Sequence, residues 1–167
     1  MPTLFSRIIA GEIPCHRVAE DDRFIAFLDI SPLREGHTLV VPKVETDYIF
    51  ALPPDTLSAM LPFAQRVARA IQAVIPCKRI GVAVIGLEVP HAHMHLVPIS
   101  QEGDLDFTAP RAQLSPERFP QPILGLPHPW PREHAQGPLR HGGQPPGHAR
   151  YRPGVHALPS VQVGVKA

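Results

Sequence analysis

The sequence has few cysteines and no long apolar run. Cys15 and Cys77 are its two cysteines in 167 residues, and neither lies in a C-x-x-C or similar metal-ligand spacing. No stretch of about 18 apolar residues could span a bilayer. The N-terminal segment carries Arg7 and Glu12 and lacks the long apolar core of a signal peptide. These absences predict a cytoplasmic protein with reduced cysteines, no disulfide framework and no membrane contact.

The sequence also lacks an excess of charge of either sign. The formal net charge is +1, which gives no support for a nucleic-acid polymer or a membrane surface as a partner. An anionic ligand would therefore have to be recognised by local groups. P-loop and G-x-S-x-G patterns are absent as well, so no serine nucleophile or phosphate-binding loop of those types is expected.

Proline is abundant, with 22 residues, and it divides the chain in two. Residues 1–118 are patterned as one domain, whereas residues 119–167 are rich in proline, glycine, histidine and arginine and contain a single acid, Glu133. Such a tail buries too little apolar surface to order itself, so we expect disorder, with a proline-rich docking segment as the alternative. The stretch "LSPERF" reads as the start of a final helix that never continues, which suggests a shift of reading frame near Phe119.

Residues 1–118 alternate between short β-rich runs and two helical segments. Thr3 is expected to cap a short helix that begins at Leu4, and Asp55 is expected to cap a long amphipathic one. The runs "CHRVA", "FIAFLD", "HTLVVP", "IGVAVIG" and "HAHMHLVPI" read as strands. Because most connections are too short for parallel crossovers, the sequence predicts an α+β fold, in which an antiparallel five-stranded sheet packs a helix on one face.

The stretch "PHAHMHLVPIS" places His91, His93 and His95 at every second position. In a strand these imidazoles share one open face about 6.6 Å apart, while the intervening apolar residues point into a core. Three interpretations follow: surface histidines, a metal site, or covalent catalysis by imidazole. Candidate carboxylates for a metal site, none with a diagnostic spacing, are Glu88, Asp104 and Asp106.

The motifs around these histidines resemble those of the histidine triad (HIT) superfamily of nucleotide hydrolases and transferases. "HAHMHLVP" matches the superfamily's triad signature. "FSRIIAGEIP", "EDDRFIAFLDISPLREGHTLVVPK" and the long helix precede it in the family's order, so the resemblance covers about residues 4–118. It implies a homodimer, a purine nucleotide substrate and no cofactor.

The resemblance also implies roles for individual residues. His93 matches the nucleophile that forms a nucleotidyl-histidine intermediate. His95 matches the histidine that contacts phosphate oxygens and protonates the leaving group. His91 would orient its neighbour, and His37 matches an additional active-site histidine. Asp29 matches the acid that accepts ribose hydroxyls. The apolar walls around the base match Phe5, Ile8, Phe27 and Ile30.

Two departures from the family pattern bear on substrate and metal. Members with a structural zinc carry C-x-x-C near the start, where this sequence has Thr3-Leu4-Phe5-Ser6, so no metal is expected. Gly86 and Glu88 fall where the family contacts phosphate and leaving group, and an acid there favours an amine leaving group over polyphosphate.

The sequence therefore predicts hydrolysis of a P–N or P–O bond at the α-phosphorus of a purine nucleotide conjugate. Both a phosphoramidase and a dinucleoside polyphosphate hydrolase remain open. The alternatives are a nucleotide-binding protein without catalysis and a histidine-based metal-binding module.

Overall fold

The computed structural model describes residues 1–113 of the chain. The final helix predicted from "LSPERF", the tail of residues 119–167 and the proposed frame shift all lie outside the described residues.

Five strands form a single antiparallel sheet in the order β1-β2-β3-β5-β4. The strands are β1 (Arg17–Glu20), β2 (Phe24–Leu28), β3 (Thr38–Pro42), β4 (Arg79–Ala83) and β5 (Met94–Ile99). Consecutive strands β1, β2 and β3 form a meander, and β5 then pairs with β3 on one side and β4 on the other. The predicted α+β fold with an antiparallel five-stranded sheet is confirmed.

The long helix α2 (Pro54–Val74) covers one face of the sheet. Its buried residues Met60, Phe63 and Val67 join Phe24 of β2 and Leu96 of β5 in the larger apolar cluster. These side chains are at most 3% exposed, and burying one aromatic or aliphatic side chain of this size stabilises the fold by about 1.5–3 kcal/mol. The α2 face is therefore the main core.

The other face is covered by α1 (Leu4–Ile9), whereas the sequence predicted a helix on one face only. Phe5 and Ile8 of α1 pack on Ile25, Phe27 and Leu39 of the sheet. Both central strands β2 and β3 are consequently buried along their whole length. Because residues opposite one another in a sheet share a face, the pairing of Leu39 with His95 places that histidine on the α1 face.

The N-terminus of α2 differs from the prediction. Pro53 is the N-cap, its carbonyl accepting from the Leu57 N–H at 2.9 Å, and Pro54 fills the first helical position, where a missing N–H costs nothing. Asp55 lies in the first turn, where it pairs with Arg23 at 3.2 Å. Among the described residues, neither helix is long and apolar enough to cross a bilayer.

Candidate functional site

The histidine alternation continues from a loop into β5. The strand begins at Met94, so His91 and His93 lie just before it, and His95 lies within it. The intervening residues Ala92 and Met94 still point into the α2 core. The predicted division between imidazoles and apolar side chains therefore holds, although the strand is shorter than "HAHMHLVPI".

The three imidazoles are buried, whereas the alternation alone predicted an open face. His91, His93 and His95 are 0%, 6% and 8% exposed. The Phe5 ring in α1 meets the His93 ring in a T-shaped contact, with ring centroids 5.1 Å apart. Phe107, from the segment after β5, covers His95 at 5.0 Å. Burial of this kind raises the energy of a charged imidazole and lowers the pKa of His91 and of His95.

The hydrogen bond of His93 determines which of its nitrogens is free. Nδ1 of His93 lies 2.7 Å from the carbonyl oxygen of His91. A carbonyl only accepts, so the proton of the neutral ring is on Nδ1. The lone pair of His93 is consequently on Nε2, where it can attack an electrophile.

A backbone donor sets the protonation of His37 and His95 in the same way. The N–H of Leu33 donates to Nδ1 of His37 at 3.1 Å, so the proton of His37 is on Nε2. That Nε2–H donates to Nδ1 of His95 at 3.0 Å. The proton of His95 is therefore on Nε2, the nitrogen not used by this chain of hydrogen bonds. The Leu33 N–H thus determines, through His37, that the neutral His95 ring carries its N–H donor at Nε2.

The pKa values of this histidine pair are far below the usual 6.5. Burial is the main cause for both, and it lowers the pKa of His37 to about 4 and that of His95 to about 3. For His37 the nearby Asp29 carboxylate acts in the opposite direction, while the Arg111 charge lowers the pKa further. Both rings are therefore neutral at neutral pH, as the hydrogen bonds require.

Asp29 lies beside the pair at the start of the β2–β3 loop. Its Oδ2 is 3.5 Å from Nδ1 of His37, and its Oδ1 accepts from the Ser31 N–H at 2.8 Å. Ligand atoms of Asp29, His37 and His95 lie within 4.8 Å of one another. The carboxylate that the structure brings close to two histidines is therefore Asp29, and not the predicted candidates Glu88, Asp104 or Asp106. Because Asp29 and His95 approach different nitrogens of His37, the geometry favours a hydrogen-bonded chain over chelation.

The residues predicted to form the base pocket separate into two groups. Phe5, Ile8 and Phe27 lie together on the α1 face, and the rings of Phe5 and Phe27 meet edge to face at 5.6 Å. Ile30 does not join them, since its side chain is 90% exposed in the β2–β3 loop.

The residues predicted beside the phosphate lie in the loop between β4 and His91. Gly86 has a φ of 71°, a left-handed conformation that favours glycine. Glu88 is exposed in the same loop. The structure thus places both residues in a surface segment that leads directly into the triad.

Sequence reasoning missed the segment after β5. Phe107 covers His95, the Arg111 guanidinium lies 5.7 Å from the Phe107 ring centroid, and the Ala112 N–H donates to the Pro32 carbonyl at 2.8 Å. This segment has neither a helical nor a strand period, so no pattern in the sequence could place it over the histidines.

Thr3 and Ser6, at the positions of the family's C-x-x-C, do not fit a zinc site. Thr3 Oγ1 lies 2.9 Å from Nδ1 of His91, and the Ser6 hydroxyl donates to the Glu45 carboxylate. Neutral hydroxyls are poor substitutes for the thiolates that zinc prefers, and both are already used in hydrogen bonds. His91 itself is held on its other side, where Nε2–H donates to the Pro42 carbonyl at 2.8 Å.

Comparisons with known proteins agree with this arrangement. An uncharacterized HIT-like protein of Mycobacterium tuberculosis is 40% identical over 103 residues, which are 59% of this chain and 72% of that protein. The adenosine 5'-monophosphoramidase of Schizosaccharomyces pombe is 32% identical over 122 residues, 71% of this chain and 91% of the relative. The crystal structure of a Zn-bound histidine triad family protein from Mycobacterium smegmatis superposes with a TM-score of 0.60 at 33% identity, covering 70% of this chain and 84% of that one.

The family model of the HIT domain matches residues 10–102, which include all five strands, α2 and the three histidines. The order of these elements, the buried triad and the solved relatives are mutually consistent. The chain belongs to the HIT domain family.

Proposed function

We propose that this protein hydrolyses purine nucleotide conjugates at the α-phosphorus, with Nε2 of His93 as the nucleophile. The observation that carries the proposal is the 2.7 Å hydrogen bond from Nδ1 of His93 to the His91 carbonyl. It leaves an unprotonated Nε2 in a buried site and stabilises the positive charge that the ring acquires when it is nucleotidylated.

His95 supplies a hydrogen-bond donor for the phosphoryl oxygens in this proposal. Its Nε2–H is set by the chain from Leu33 through His37. When Nε2 of His93 bonds to phosphorus and the bond to the leaving group breaks, the Nε2–H of His95 donates a hydrogen bond to a phosphoryl oxygen, and the leaving atom takes its proton from solvent water. Water then attacks the nucleotidyl-histidine, releases the nucleoside monophosphate and returns a proton to solvent, so that Nε2 of His93 is free again. The low pKa of His95, about 3, keeps this donor neutral throughout the physiological pH range.

The substrate's nucleoside is assigned to the α1 face. The rings of Phe5 and Phe27 and the side chain of Ile8 form an apolar wall next to His93, and a purine can stack on such a wall. The Asp29 carboxylate, which is 18% exposed, can accept hydrogen bonds from two ribose hydroxyls. Ile30 would have to move from its exposed position to contact the base.

The leaving group is proposed to be an amine. Glu88 is exposed in the loop that precedes the triad, and a carboxylate there repels a polyphosphate while it attracts a cationic amine. The relative in Schizosaccharomyces pombe is named an adenosine 5'-monophosphoramidase, which supports the same choice.

A homodimer is part of the proposal. Within residues 1–113, β4 pairs with a strand on one side only, and β4 and the loop after it expose Val82, Val84 and Ile85 at 42–50%. A sheet edge with apolar side chains favours pairing with a second chain. Sedimentation analysis should give twice the chain mass at micromolar concentration, and a monomer there would contradict this part.

The central test compares wild type with His93→Ala on an adenosine phosphoramidate and on diadenosine polyphosphates. We expect faster turnover of the phosphoramidate, a loss of about a thousandfold or more in the variant, and a nucleotidyl adduct on the quenched wild-type protein by mass spectrometry. His16→Ala, which removes an exposed histidine, is the matched control. Turnover that survives in His93→Ala would refute the mechanism, and tight nucleotide binding without turnover would favour the non-catalytic alternative.

A further inference from the structure

A group of polar side chains joins α1 to the first histidine of the triad. We call Thr3, Ser6 and Glu45, together with His91, the α1 anchor. Thr3 Oγ1 lies 2.9 Å from Nδ1 of His91 and 2.9 Å from Ser6 Oγ. The Ser6 hydroxyl donates to Oε2 of Glu45, and the Thr3 N–H donates to the same oxygen at 3.3 Å.

The hydrogen atoms of the α1 anchor can be assigned from its two fixed acceptors. Nε2–H of His91 donates to the Pro42 carbonyl, so Nδ1 of the neutral ring carries a lone pair. The Ser6 hydrogen is used by the Glu45 carboxylate, which only accepts. The Thr3 hydrogen can reach either Ser6 Oγ or Nδ1 of His91, both at 2.9 Å. We assign it to Nδ1, the stronger acceptor, which no other donor in residues 1–113 satisfies. Burial lowers the pKa of His91, in agreement with a neutral ring.

The Thr3 side chain makes two contacts at once. While its hydroxyl hydrogen points to His91, its oxygen accepts from the Ser6 N–H at 3.1 Å as the N-cap of α1. The last residue before α1 thus binds both the helix and the ring. Since Phe5 of the same helix packs edge-on against His93, the position of α1 also determines how closely the nucleophile is covered.

The α1 anchor reaches His93 through the backbone of His91. The ring of His91 is held at both nitrogens, by Thr3 on α1 and by Pro42 at the end of β3. Its carbonyl accepts from Nδ1 of His93 at 2.7 Å, the bond that leaves Nε2 free. A ring fixed on both sides restricts the rotation of its own main chain, and so it fixes the direction of that carbonyl.

We propose that Thr3, Ser6 and Glu45 are positioning residues for the triad. Thr3 and Ser6 lie at the positions where C-x-x-C members bind zinc, and hydrogen bonds there take the place of the metal. They orient His91 and hold α1 over His93 without touching the substrate. The effect on turnover rests on the proposed function, whereas the protonation state of His91 and its bond to Thr3 do not.

The test begins with the hydroxyl of Thr3. Thr3→Val removes the hydroxyl at nearly constant shape, and Thr3→Ser restores it. In ¹⁵N spectra of the histidine side chains, wild type and Thr3→Ser should show His91 protonated at Nε2 and hydrogen-bonded at Nδ1, and Thr3→Val should shift the Nδ1 resonance. In kinetics we expect a fall of about tenfold in kcat for Thr3→Val, equivalent to about 1.4 kcal/mol, with KM within about twofold and recovery in Thr3→Ser.

Two further variants separate positioning from folding. Glu45→Gln keeps the size of the side chain and removes its charge, and it should shift the same Nδ1 resonance; it serves as the second test if Thr3→Val does not fold. Ser58→Ala, which removes an exposed hydroxyl bonded to the Asp55 carbonyl, should change neither readout.

Each outcome decides the proposal. An unchanged Nδ1 resonance, or a lowered melting temperature with normal kcat well below it, would overturn the positioning role. If wild type turns over no nucleotide conjugate, the proposed function fails, and the resonances of Thr3→Val and Thr3→Ser still decide whether the α1 anchor exists.

Discussion

Mild acid should destabilise this protein through its buried histidines. In the unfolded chain each histidine has a pKa near 6.5, whereas burial lowers that of His37 to about 4 and that of His95 to about 3. Between these values the unfolded state binds more protons, so stability falls as the pH decreases from about 6.5 towards 4. From pH 7 to pH 5 each ring contributes a loss of about 2 kcal/mol, a large part of the roughly 5–15 kcal/mol of a typical domain.

Two carboxylates in the segment after β5 do not interfere in this range. The backbone N–H of Ser100 donates to Asp104 and is the largest cause that holds its pKa below 3.8. The Thr108 side chain donates to Asp106 and has the same effect on the pKa of that group. A carboxyl group with a lowered pKa contributes stability that is lost only as the pH falls through that lower value. Asp104 and Asp106 therefore add nothing to the loss between pH 7 and pH 5.

Urea unfolding at pH 7, 6 and 5 measures the effect. His37→Asn cannot titrate, so its loss between pH 7 and pH 5 should be smaller than that of wild type by about 2 kcal/mol, whatever its stability at pH 7. Ser58→Ala, which removes an exposed hydroxyl and no titratable group, should behave as wild type. Equal losses in wild type and His37→Asn would refute the claim that burial keeps this ring neutral.

Two further substitutions test the loops around the site. Gly36→Ala should lower the free energy of unfolding by about 2–3 kcal/mol, because φ is 81° and the new Cβ would lie 2.9 Å from a neighbouring side-chain carbon. Gly11→Ala, with φ 77° and open space around the new Cβ, should lower it by only about 1 kcal/mol. Equal losses in urea unfolding would contradict the crowding at Gly36. Phe107→Ala uncovers His95, so an NMR titration should show its pKa rising towards 6.5. Phe50→Ala, at a 72% exposed position, should leave that titration unchanged.

Much of the fold follows from local patterns in the sequence. Short β-rich runs predicted all five strands, and the triad's alternation correctly placed Ala92, Met94 and Leu96 in the core. The prediction of Asp55 as an N-cap was wrong because two prolines before it already supply the cap geometry.

The sequence could name candidate residues for the site, but it could not give their geometry. The resemblance named His37 and the triad as partners, and the structure brings His37 and His95 together across 58 residues of sequence. Ile30 did not join the apolar wall, because it lies in a loop whose course no periodicity determines. Phe107 and Arg111 were missed for the same reason.

The sequence by itself determined the strand pattern, the histidine alternation and the residues able to carry imidazole chemistry, because these depend on chain periodicity and side-chain type. Only the tertiary structure decided which nitrogen of each ring holds a proton, because the deciding groups, the Leu33 N–H and the Pro42 and His91 carbonyls, are backbone atoms. It also decided that hydroxyls of Thr3 and Ser6 meet His91 across more than 80 residues, since only folding closes such distances.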